Sequence, residues 1–102
     1  MEKEKTRIVT ISPSAIDDID GISGYIIEEG FPETADKFIN RMLEFIFSLY
    51  IYPFIHSECC FKKFKRRNNW RCAVFENNYI IAYKIFKFKI VVHAVIHAAR
   101  LK

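Results

Sequence analysis

Glycine, proline and cysteine each occur only three times in 102 residues. So little glycine and proline excludes collagen-like repeats and Gly/Pro-rich linkers. No stretch reaches the roughly 18 uninterrupted apolar residues that a membrane-spanning helix needs. The opening Met1-Glu2-Lys3-Glu4-Lys5 has no apolar segment behind it and does not read as a signal peptide. The expectation is a cytoplasmic protein with no membrane partner. Cysteine is scarce and odd in number: Cys59 and Cys60 are adjacent, and their spacing to Cys72 fits no zinc pattern. Reduced, partly buried thiols are expected, with no metal and no cofactor.

Acid is also scarce, but only in one half. Residues 59–102 carry eleven Lys/Arg against the single acid Glu76, a balance of +10. Residues 1–58 carry five Lys/Arg against eleven Asp/Glu, a balance of −6. A basic half suits an anionic partner, nucleic acid or an acidic protein segment. What the chain has in quantity is apolar and aromatic mass, 51% and 16%. That excludes disorder and predicts one packed domain over 1–102.

The strongest pattern lies late in the chain. Tyr79–Phe86 and Lys89–Arg100 are rich in β-branched and aromatic residues and are separated by a short turn, which predicts a β-hairpin. In the first strand Tyr79, Ile81, Tyr83 and Ile85 face the core by alternation. In the second the even positions Ile90, Val92, Ala94, Ile96 and Ala98 do so. The opposite face then carries Ala73, Phe75, Ile80, Ala82, Phe86, Val91 and Val95 among Arg71, Lys84, Lys89, His93 and His97. Upstream, residues 7–11 read as a strand. Ser12-Pro13 opens a helix with the stripe Ala15, Ile19, Ile22, Ile26, and Gly30 stops it. Pro32 opens a second helix whose stripe runs from Ala35 to Tyr50 before Pro53; Phe45 and Phe47 fall off it. Trp70–Phe75 is a third strand candidate, and Glu76-Asn77-Asn78 a turn. The predicted fold is α+β, order β-α-α-β-β-β, a helical hairpin on a mostly antiparallel four-stranded sheet.

In that order the chain resembles the RelE/ParE superfamily of toxins from bacterial type II toxin–antitoxin modules. The resemblance rests on Ser12-Pro13-Ser14-Ala15, Asp17-Asp18-Ile19, Tyr25-Ile26, Ala35 with Phe38, Pro53, Trp70-Arg71, Tyr79 to Tyr83, and His97 with Arg100. It implies the same fold and an antitoxin partner in a hetero-oligomer. It also implies one of two activities: ribosome-dependent mRNA cleavage in the RelE-like branch or DNA gyrase inhibition in the ParE-like branch.

Cleavage of RNA needs an acid, a base and positive charge on the reacting phosphate. Arg71 and Arg100 stand at two positions where RelE-like members carry basic residues. Ala73 and Ile80 occupy two further such positions, and no tyrosine follows His97. The chain is therefore closer to the ParE-like branch, acting by binding, with no catalytic residue assigned. The alternative is an mRNA endoribonuclease using Arg71, His97 and Arg100. Lys62, Lys63, Lys65, Arg66 and Arg67 form a basic run suited to anion contact, in either reading. A folded, antitoxin-binding but inactive toxin would share all these features. His93 and His97 stand roughly 13 Å apart on one strand, too far to share a metal ion. The expected antitoxin contacts are Phe75, Ile80, Lys84, Phe86, Lys89, Val91, His93 and Val95.

Overall fold

The computed structural model describes residues 7–59, 61, 64 and 69–101. Strand β1 (Ile8–Ile11) leads into helix α1 (Pro13–Glu28) and helix α2 (Pro32–Phe47). Strands β2 (Trp70–Phe75), β3 (Tyr79–Ile85) and β4 (Lys89–His97) follow, and a 3₁₀ turn (Ala98–Leu101) is the last described element. The sheet order is β1-β4-β3-β2. The β2-β3-β4 meander is antiparallel, whereas β1 pairs in parallel with β4, so the sheet is mixed.

Local chemistry places the helix ends. Ser12 caps α1, its Oγ accepting from the Ala15 N–H at 3.2 Å, with Pro13 in the first turn where its missing donor costs nothing. At the other end Gly30 takes φ +94°, Gly30 N–H bonds the Ile27 carbonyl and Phe31 N–H the Ile26 carbonyl. These two bonds make a Schellman motif. Helix α2 stops at Phe47, sooner than its stripe suggests: Ser48 caps it, Leu49 is buried and Tyr50 is exposed.

The core lies between the helical hairpin and one face of the sheet. Met42 and Ile46 from α2 meet Ile81, Tyr83, Ile90 and Val92, all fully buried. At about 1.5–3 kcal/mol per such side chain, this contact is the main source of stability. Phe45 joins it, its ring 5.3 Å from that of Phe75, while Phe47 stays exposed.

Two strand faces differ from the simple alternation. In β4 the pairs Ala82↔Ala94 and Tyr83↔Val92 leave His93 as an extra residue, a β-bulge. Before it, Ile90 and Val92 face the core; after it Val95 does, and Ala94 and Ile96 turn to the other side. In β2, Ala73 and Phe75 belong to the core, the reverse of the sequence expectation, while Val74 is 54% exposed on the opposite face. Strand β4 also ends at His97 rather than running on to Arg100. Beyond Val92 it has outrun β1, and there the Asp18 carboxylate of α1 accepts the Val95 N–H at 2.9 Å.

Candidate functional site

The face of the sheet turned away from the helices carries Trp70, Cys72 and Val74 from β2. Cross-strand register adds Ile80, Ala82 and Lys84 from β3. This face is not open along its whole length. Residues 57–59 run antiparallel to the free edge of β2: Cys59 N–H bonds the Trp70 carbonyl and Cys72 N–H the Ser57 carbonyl. A disulfide joins Cys59 to Cys72 across that contact. The expectation of reduced thiols is thereby corrected for Cys59 and Cys72, since the edge pairing brings two residues 13 apart in sequence to a Cα separation of 4.9 Å, while Cys60 lies outside the described residues. Phe64, 4% exposed, packs on Trp70, and Trp70 stacks flat on His93 at 4.4 Å. These two aromatics are packing groups. On this face Ile80 and Ala82 are buried.

On the helix side of β2, Arg71 reaches the connection that follows α2. Its guanidinium donates to the carbonyls of Phe54 and His56 and lies 5.1 Å from the Phe54 ring. Tyr83 beside it donates its hydroxyl to the Pro53 carbonyl at 2.7 Å, and burial pushes its phenol up to about 12. His56, edge-on to Tyr83, is held below the usual histidine range by burial and by the Arg71 charge. Groups arranged in this way anchor a loop, through Arg71 Nη1 and the Tyr83 hydroxyl.

His97 and Arg100 stand elsewhere. They line a groove of about 620 Å³ with Asp17, Asp18, Tyr25 and Tyr79, between α1 and the end of β4. The Ala99 N–H donates to His97 Nδ1 at 3.1 Å, so a neutral ring carries its proton on Nε2. Burial and neighbouring Tyr25 hold the Tyr79 phenol above its ordinary value. Arg71 pairs with Tyr83 and His97 with Tyr79, four residues apart on β3. The separation along the strands is therefore roughly 13 Å, before adding the width of the intervening strand. Arg71, His97 and Arg100 do not converge. Lys62, Lys63, Lys65, Arg66 and Arg67 lie outside the described residues. Among the described residues no three His, Cys, Asp or Glu side chains cluster as metal ligands would.

Of the expected antitoxin contacts, Phe75 and Val95 are core residues at 6% and 3% exposure, and Ile80 is buried on the far face. They are not available to a partner. Lys84, Phe86, Lys89, Val91 and His93 retain accessible surface and gather toward the β3–β4 hairpin. Sequence reasoning missed their neighbours Arg7, Phe54, Lys87 and Phe88. Phe54 and Phe88 are more than half exposed, and Arg7 ties β1 to the hairpin by donating from Nε to the Phe86 carbonyl at 2.7 Å. For Lys87 and Phe88 the only signal was the alternation of phenylalanine and lysine over 86–89; Arg7 and Phe54 had none.

Comparison with known proteins agrees with this architecture. Residues 9–102 match a family described as the ParE toxin of the type II toxin-antitoxin system, parDE. Curated protein sequences contain no match. Among solved structures, the fold is similar to one described as the chromosomal ParDE TA system from P. aeruginosa. The TM-score is 0.75 at 14% identity, covering 90% of this chain and 96% of that one. With nearly the whole chain covered by the family match, the protein belongs to the ParE toxin family of type II toxin–antitoxin systems.

Proposed function

We propose that this toxin acts in the cytoplasm by binding DNA gyrase, and that a cognate antitoxin silences it by covering its basic sheet. One observation carries the choice of binding over message cleavage. Arg71 turns one guanidinium nitrogen to two backbone carbonyls, and it stands apart from His97 and Arg100. A phosphoryl-transfer centre needs its charge and its proton donors focused on one phosphate. Ala73 and Ile80, where RelE-like relatives resembled by this chain carry basic groups, are buried and apolar. The antitoxin segment best suited to the accessible Lys84, Phe86, Lys89, Val91 and His93 is apolar on one face and acidic overall.

Induced expression with parallel readouts separates the two activities. Gyrase inhibition predicts early DNA breaks while message stays intact. Prompt loss of message, with cuts inside translated codons, would overturn the proposal.

A further inference from the structure

Five cations and three phenylalanines crowd the hairpin end of the sheet. Phe54 lies between two guanidinium groups, Arg7 at 5.6 Å and Arg71 at 5.1 Å from its centroid. Phe86 has Lys84 at 5.1 Å and Lys89 at 5.4 Å, and Phe88 has Lys87 at 5.3 Å. All three rings are at least a third exposed. Residues 77–102 contain no acid at all. Among the described residues the one salt bridge is Arg41–Glu76, so none of the five cations is matched by a carboxylate there.

We infer that this end of the sheet is a binding surface for single-stranded DNA. A nucleotide presents a phosphate and a flat base, and each exposed ring here comes with its own cation. Cation–π contacts at exposed sites are weak enough for a phosphate to draw the ammonium or guanidinium aside. The bared ring face then stacks on a base, as on the aromatic platforms of sequence-tolerant single-strand binders. Duplex DNA offers the same phosphates but keeps its bases stacked on one another, so only the charge is used. An acidic peptide uses the charge but leaves the ring faces with nothing flat to stack on. The choice of DNA rather than RNA rests on the gyrase proposal, because that enzyme acts on DNA.

The test needs neither gyrase nor antitoxin. Purified full-length protein is titrated into fluorescein-labelled dT20 and a duplex of equal length, with fluorescence anisotropy as readout. If four cations engage phosphates, a rise from 50 to 200 mM salt weakens dT20 binding on the order of 50-fold. Phe86→Ala is expected to weaken it at least about fivefold without changing the salt dependence. Lys87→Ala is expected to lower the log–log salt slope by about 0.7. Circular dichroism confirms that each variant is folded. The inference is overturned by absence of saturable binding at 50 mM salt. Equal binding of duplex with no effect of Phe86→Ala also overturns it. So does displacement by poly-glutamate as effective as that by unlabelled dT20, since charge alone would then account for the binding. Gyrase-dependent DNA breaks are scored separately: breaks without dT20 binding leave the gyrase proposal standing alone, and binding without breaks does the reverse.

Discussion

Tyr83 has no solvent exposure, yet its hydroxyl donates to the buried Pro53 carbonyl at 2.7 Å. One phenol thus fills the core and pins the loop that follows α2. Tyr83→Phe keeps the volume and strands the carbonyl, which is expected to cost about 1–3 kcal/mol in denaturant unfolding. The same group sets an alkaline limit. Its folded value of about 12 exceeds the unfolded value near 10, so its contribution is complete below pH 10. Stability should then fall as the pH rises from 10 toward 12, while the folded protein keeps the proton that the unfolded chain loses. Melting temperatures over that range are the measurement, and Tyr83→Phe should flatten the decline. An equally steep decline in the variant would assign the effect to other groups.

At the scale of elements, the strands show where sequence was readable and where it was not. In β3 both tyrosines, Tyr79 and Tyr83, fall on the same face as Ile81, and that face is the one that packs. In β2 both faces carry apolar residues, Trp70, Cys72 and Val74 against Ala73 and Phe75, so alternation alone has no preferred phase. In β4 the pattern is readable up to Val92 and then inverts, because the bulged His93 adds a residue that no local propensity announces. The helices were legible because their ends obey local chemistry at Ser12, Pro13, Gly30 and Pro32. The disulfide was not, since Cys59 meets Cys72 only through the edge pairing of 57–59 with β2. That bridge closes a loop of 13 residues, for which chain entropy gives about 3 kcal/mol. A reducing agent should therefore lower the unfolding free energy by up to about that amount. Cys72→Ser should begin lower and ignore the reductant. A reducing cytoplasm would keep the bridge open, leaving the backbone bonds to residues 57–59 and the packing of Phe64 on Trp70 to hold the segment. If reduction changes nothing in the unmodified protein, those contacts alone hold the segment.

For the whole molecule the decisive property is the separation of charge along the chain. Acid is concentrated in the helical half and base in the sheet half, and the two halves are packed back to back. Exposed cations attract an acidic partner from a distance and speed its capture, but contribute little once screened. Tight neutralisation has to come from apolar surface removed from water beside those cations. The hairpin end supplies both, with Phe86 and Val91 accessible between Lys84 and Lys89. An antitoxin bound there would also exclude DNA from the same rings. Phe86→Asp or Val91→Asp places a carboxylate where desolvation and like charge both oppose the partner. Each is expected to weaken the antitoxin complex by about 2–4 kcal/mol in titration calorimetry. Lys37→Ala, on the exposed side of α2, should leave affinity unchanged within error. Hydrogen exchange on free and antitoxin-bound toxin locates the contact independently. Added protection is expected in 84–93, and protection confined to α1 and α2 would place the antitoxin on the helical hairpin instead.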